Sequence, residues 1–253
     1  MPSNCWEEVL PFFSNDKHQI VKMENGHTLA DWERMLSEAI RMTPDEPLAI
    51  VGWSMGGILA LDVLARMHKE APASISSVKR IVLVSTTLKF TSEDRQLGWP
   101  ERIMHRMIHK CRASSEVVFQ DFAAAMLTQA ERHQTERKLA ELLVHSSWSH
   151  QALLAGLQYL CEADVSQAYV KLLEEKDIQI DWIHGTQDAT CPAAALRKLE
   201  QRDGEAKGKA GFLWVEQGGH ALPLSHPAQL ASHIHTLWKR TPMPNGREES
   251  LTD

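Results

Sequence analysis

The sequence is poor in residues that staple or clasp a fold together. Its four cysteines, Cys5, Cys111, Cys161 and Cys191, stand far apart with no CxxC pair. That spacing excludes a disulfide framework and reads as reduced thiols in a cytoplasmic protein. No apolar run approaches the roughly 20 residues of a membrane span. The opening "MPSNCWEEVL" lacks the basic start and apolar stretch of a signal peptide. Basic residues do not predominate: 27 Lys+Arg stand against 33 Asp+Glu, and a net charge of −6 argues against nucleic acid as a general partner. No GxGxxG, phosphate-cradling loop or metal-ligand cluster occurs, so no cofactor or metal is implied.

What is present is the material of a globular core. The chain has 253 residues, 43% hydrophobic, enough to fold without disulfides or metals. Apolar runs alternate with helical patterns. Residues 18–23, 47–53, 78–86, 178–185 and 211–217 read as strands, and "PLAIVGW" (47–53) is continuously apolar, as a buried parallel strand should be. Residues 28–40, opened by Thr28 as a cap, and 57–70, 192–202 and 226–239 read as helices. The alternation predicts an α/β fold, a mainly parallel sheet with helices on both faces. Residues 92–175 break the rhythm: they are helical and hold no strand, which predicts a lid inserted into a core of 1–91 and 176–240. The polar, Pro/Gly-rich segment 241–253 reads as a disordered tail.

Between the 47–53 strand and the 57–70 helix stands Gly52-Trp53-Ser54-Met55-Gly56, a G-x-S-x-G spacing. In that context the turn holds the serine strained and exposed, and the flanking glycines let strand and helix pass closely. The Met55 N–H and the helix N-terminus would face a developing oxyanion. A serine hydroxyl needs a base, and the base an orienting acid. Asp188, just past the 178–185 strand, is the candidate acid; its other reading is a turn residue capping the next helix. Asp181, inside the strand, is a poorer candidate. His220, after the last strand and two glycines, is the candidate base among 13 histidines. His184 is a weaker base candidate, and His226 starts the final helix.

With these motifs, and with "VSTTLKFTSEDRQLGWP", "HGTQDATCP" and "GGHALPLSHPAQLASHIHTLW", the chain resembles the α/β-hydrolase superfamily over about residues 4 to 240. More narrowly it is similar to the pimeloyl-[acyl-carrier protein] methyl ester carboxylesterases of biotin synthesis. The resemblance implies a serine esterase that cleaves the methyl ester of a pimeloyl chain on acyl carrier protein. Ser54, His220 and Asp188 would form its triad. By the same resemblance Trp53, Phe122 and Met126 line the acyl path, or are core residues of the helical cap. Arg132, Arg137 and Lys138 would supply part of a carrier-docking surface. Glu131, Glu136 and Glu141 are interleaved with them, and a solvated, salt-bridged helix face is the competing reading.

The resemblance also implies elements that this sequence lacks. The second oxyanion donor normally comes from a His-Gly loop, and no such stretch precedes Ser54. A sheet strand between 18–23 and 47–53 has no counterpart. The expectation is therefore either that the chain starts upstream of Met1 or that 18–23 moves in beside 47–53. Residues 1–253 alone are expected to be poorly stable and weakly active, since one lost oxyanion donor costs on the order of 10²–10³ in rate. Two other functions stay open: a general short-chain esterase or thioesterase on the same triad, and a truncated, non-catalytic hydrolase fold.

Overall fold

A computed structural model describes residues 3–14, 17–43, 46–144, 148–203 and 210–241. Of the tail read at 241–253, all but Thr241 lies outside the described residues. Four strands form one sheet in the order β1-β2-β3-β4: Leu48–Trp53, Val78–Val84, Gln179–Gly185 and Ala210–Val215. Every pairing is parallel.

The pleat alternates side chains between two cores. Ile81, Leu83, Ile180 and Trp182 face one cluster with Ile58 and Leu61 of α2 (Met55–Glu70) and Trp32 and Leu36 of α1 (Leu29–Arg41). Val82, Val84, Ile183 and Val215 face the other, with Leu230 and Ile234 of the C-terminal helix Pro227–Lys239. α1 begins where the sequence predicts. Thr28 caps it, with Asp31 returning the bond to the Thr28 N–H in a reciprocal capping box. Among the described residues, five helices lie between β2 and β3: α3 (Glu101–Ala113), α4 (Ser115–Ala125), α5 (Gln129–Val144), α6 (His150–Glu162) and α7 (Ser166–Glu174). The last of these packs on α2, and its Tyr169 and Leu172 join the core beside Trp182.

Asp181, set aside above as a catalytic acid, lies buried against Arg80 of β2, and Thr241 accepts from Arg80 Nε at 2.8 Å. Burial pushes the Asp181 carboxyl up, and the adjacent guanidinium opposes it.

The predicted strand at 18–23 does not form. Residues 17–22 have no regular secondary structure, and Met23–Asn25 is a 3-10 turn held by the Trp32 indole, which donates to the Met23 carbonyl at 2.8 Å. Ile20 and Val21 carry the local β pattern, but a strand needs a paired neighbour. β1 is the edge of the sheet, and a cavity lies between it and this segment. The Leu48 and Ser54 N–H groups donate toward β2, to Ser77 and Val84. By alternation, Val51 and Trp53 turn theirs to the open side. In hydrogen–deuterium exchange the Val51 amide should therefore exchange well before that of Leu83, which is paired on both sides. Equal protection of the two would mean that the β1 edge is covered in solution.

Candidate active site

The site gathers at the carboxyl ends of β1, β3 and β4. Directly after β1, Ser54 takes φ 55° and ψ −126°, a region that L residues rarely occupy. The surroundings over-determine it. Its N–H donates to Val84 at 2.9 Å, and its carbonyl accepts from Gly57 N–H at 2.9 Å and from the Thr86 hydroxyl at 3.1 Å. The close passage of strand and helix falls on a different pair of glycines from the pair the motif suggests. A Cβ on Gly52 would lie 2.6 Å from the Gly57 Cα, and one on Gly57 would run into the Thr86 side chain. A Cβ on Gly56 would meet nothing within 4 Å. The motif spacing marks Gly56, whereas packing requires Gly57.

Asp188 follows β3 in a turn that surrounds its carboxylate with donors. Oδ1 accepts from the Thr190 and Cys191 N–H groups at 2.9 and 2.8 Å, and Oδ2 lies 2.9 Å from His220 Nδ1. His220 follows β4, and its Nε2 lies 2.9 Å from Ser54 Oγ. Since a carboxylate only accepts, Nδ1 carries the proton and Nε2 faces the serine hydroxyl as acceptor. Asp188 and His220 are both buried, while Ser54 is half-exposed. The structure thus brings the three residues singled out by spacing into one hydrogen-bonded line.

His184 lies 3.4 Å from the same Asp188 oxygen, Oδ2, and donates from Nε2 to the Cys191 carbonyl at 2.8 Å. Burial lowers its pKa against the pull of Asp188. It does not reach Ser54. His226 occupies the N-cap position of the C-terminal helix, as its place before Pro227 suggests, without a side-chain capping bond.

Trp53, Phe122 and Met126 all line a 760 Å³ cavity that also reaches Ser54 and Met55. Their roles go beyond filling. The Trp53 indole donates to the His220 carbonyl at 2.9 Å, and the Met126 carbonyl accepts the His220 N–H at 2.9 Å. Arg132, Arg137 and Lys138 are exposed on α5, each with a local partner: the Ala124 carbonyl at 3.2 Å, Glu141 at 2.9 Å and Glu8 at 2.9 Å. Glu131 departs from the solvated face expected of it. It is buried beside the His220 loop, accepting from Gly219 N–H at 2.9 Å and Thr128 N–H at 2.8 Å. Burial raises its pKa, but hydrogen bonds from His226, Gly219, Thr128 and Ser225 outweigh that and hold it at about 2.

Sequence reasoning missed Glu131, Thr86 and Trp99, whose indole donates to the Thr190 carbonyl at 2.8 Å. The T-x-x-E spacing at Thr128–Glu131 signals a helix cap, but nothing local signals the contact to Gly219.

Residues 22–233 match the alpha/beta hydrolase family. A pimeloyl-[acyl-carrier protein] methyl ester esterase of Aromatoleum aromaticum is 31% identical over 220 residues, spanning 84% of this chain and 80% of that protein. The biotin biosynthesis bifunctional protein BioHC of Teredinibacter turnerae is 26% identical over 83% of this chain. The chain spans only 36% of that longer protein. Among solved structures, an esterase from Exiguobacterium antarcticum superposes with a TM-score of 0.74 at 15% identity, over 94% of this chain and 88% of its own.

The two glycines after Ser54 should respond differently to one added methyl. Gly57→Ala should cost about 1–3 kcal/mol through overpacking against Thr86. Gly56→Ala, in open space, should leave stability unchanged or raise it by up to about 1 kcal/mol. Urea denaturation of the two variants measures this. Equal losses would contradict the packing described.

Proposed function

The chain belongs to the alpha/beta hydrolase family and is a carboxylic ester hydrolase, and we propose that it works through Ser54, His220 and Asp188 on the methyl ester of a pimeloyl chain carried by acyl carrier protein. The observation that carries the reading is the continuous line from Ser54 Oγ to His220 Nε2 and from Nδ1 to Asp188 Oδ2, each step 2.9 Å, at the mouth of an apolar cavity. The substrate follows from the relatives named for that ester, among them the Aromatoleum protein.

In this mechanism Ser54 Oγ attacks the ester carbonyl while His220 Nε2 takes its proton. Asp188 holds the imidazole in the required tautomer and stabilises the cation that forms. The Met55 N–H, at the start of α2, donates to the oxyanion, aided by the positive end of the helix. Collapse returns the proton from His220 to the departing methoxide. Methanol leaves and the acyl group stays on Ser54. Water, deprotonated by His220, then attacks the acyl-enzyme, and Ser54 is regenerated with release of the free carboxylate. Trp53, Phe122 and Met126 border the acyl path. The exposed cations of α5 offer an acidic carrier protein a modest surface that would steer encounter more than set affinity. The reading places the protein in the cytoplasm, although the structure itself says only that no described helix is long and apolar enough to cross a membrane.

A fluorophosphonate should label the wild type and not Ser54→Ala. Asp188→Asn should lower kcat by on the order of 10⁴ through loss of the correct tautomer. Methanol release from the carrier-bound pimeloyl methyl ester should exceed hydrolysis of p-nitrophenyl acetate in kcat/KM. Comparable values for the two would favour a general esterase. Absence of labelling in a folded wild type would favour the non-catalytic reading.

A further inference from the structure

We propose that Glu131 is a positioning residue for this reaction, its carboxylate fixing the loop that carries His220 to the start of α5; the inference rests on the triad reading above. The contact joins residues 88 apart in sequence. One oxygen, Oε1, accepts the Gly219 N–H at 2.9 Å, next door to His220. The other, Oε2, accepts the Thr128 N–H at 2.8 Å, and the Thr128 hydroxyl accepts the Glu131 N–H at 3.2 Å. The same carboxylate therefore caps α5 and grips the base's loop. Two neighbouring carbonyls of the α4–α5 turn complete the grip. Met126 accepts the His220 N–H at 2.9 Å, and Ala125 accepts the Thr190 hydroxyl at 3.3 Å on the loop of the acid. The helical insertion thus touches both the base and the acid through backbone and one buried charge.

Capping alone does not account for this placement. A capping carboxylate works at the surface, as Asp31 does at the start of α1, where its side chain is about one-third exposed. Burying a charge is costly unless donors surround it, and Glu131 is only 6% exposed. Its donors come from three places: the α5 start, the Gly219 N–H, and the Ser225–His226 segment, where His226 Nδ1 lies 3.4 Å away. Gly219 is built to this contact, since a Cβ there would come within 2.8 Å of the Met126 carbonyl and would crowd the Glu131 carboxylate. The loop has little freedom to move unless this carboxylate releases it.

Glu131→Gln tests the idea. An amide presents one acceptor and one donor group to two N–H donors, so it must give up either Gly219 or Thr128. With p-nitrophenyl acetate, kcat should fall about 10- to 100-fold, the penalty of a catalytic group displaced by about 1 Å, while KM stays within about twofold. The fluorophosphonate labelling rate should fall by a similar factor, and the downfield proton resonance of the His220–Asp188 hydrogen bond should shift or broaden. Thr128→Ala is the control: it weakens the cap of α5 but leaves the Gly219 contact, so melting temperature should drop with kcat unchanged. Wild-type kcat in Glu131→Gln, or an equal kcat loss in Thr128→Ala, would overturn the proposal. If Glu131→Gln melts below the assay temperature, Glu131→Asp keeps the charge but is one methylene too short to span both N–H groups. It should show the same kcat loss, and full activity there would also overturn the proposal. A folded wild type that takes no label would bring down the triad reading and this inference with it, whereas a labelled wild type with an insensitive Glu131→Gln removes the positioning role alone.

Discussion

The crossing of β1 and α2 at Gly52 and Gly57 is the constraint on which the site depends. Two backbones that approach to within a methyl group of one another leave only one way to turn between them, and that turn holds Ser54 at a positive φ. Strain of this kind costs on the order of 1–3 kcal/mol and persists only where the surroundings fix it. Here β2 and the segment just after it fix it, through the Val84 carbonyl and the Thr86 hydroxyl. The parallel register then aligns the ends of β1, β2 and β3, with Trp53 opposite Val84 and Val84 opposite Ile183. The loop of Asp188 therefore emerges at the level of the serine.

Around that fixed point the charges are held by donors rather than by water. Asp188 receives two backbone N–H groups on one oxygen and His220 on the other. Buried and fully partnered, such a carboxylate can orient an imidazole without competing for its proton. His184, 3.4 Å away, is disfavoured as a cation by its burial. The His220 backbone is held on both sides, by Trp53 on the carbonyl and Met126 on the N–H. Trp53 thus supports the base as well as lining the cavity.

The parts of this arrangement that were legible in the sequence are those written in local pattern. The apolar-rich runs at 47–53, 78–86, 178–185 and 211–217 became the four strands, within a few residues at their ends, and 47–53 reads as the unbroken apolar run of a buried parallel strand. Thr28 as a cap, and the glycine-flanked serine between strand and helix, are signals of the same short range. The strand expected at 18–23 failed because Ile20 and Val21 express only a propensity, and pairing is settled by a neighbour that those residues do not have. Gly56 and Gly57 could not be told apart without knowing which one faces Thr86. Glu131 looked like its exposed neighbours Glu136 and Glu141, since its partner lies 88 residues downstream. Contacts of that length leave no trace in spacing.

The open edge of β1 also shapes what the cavity can hold. The same gap that leaves Val51 and Trp53 without a strand partner forms one wall of the 760 Å³ space reaching Ser54. Buried N–H and C=O groups without partners are costly, so that wall favours water or the amide groups of a ligand. The part lined by Phe122, Met126, Leu153 and Gly156 offers no such polar row. The cavity therefore differs in character between the sheet edge and the helices. The α4–α5 turn that contacts His220 through Met126 also lines this cavity, so a change in how α4 and α5 pack would alter the base and the cavity wall together.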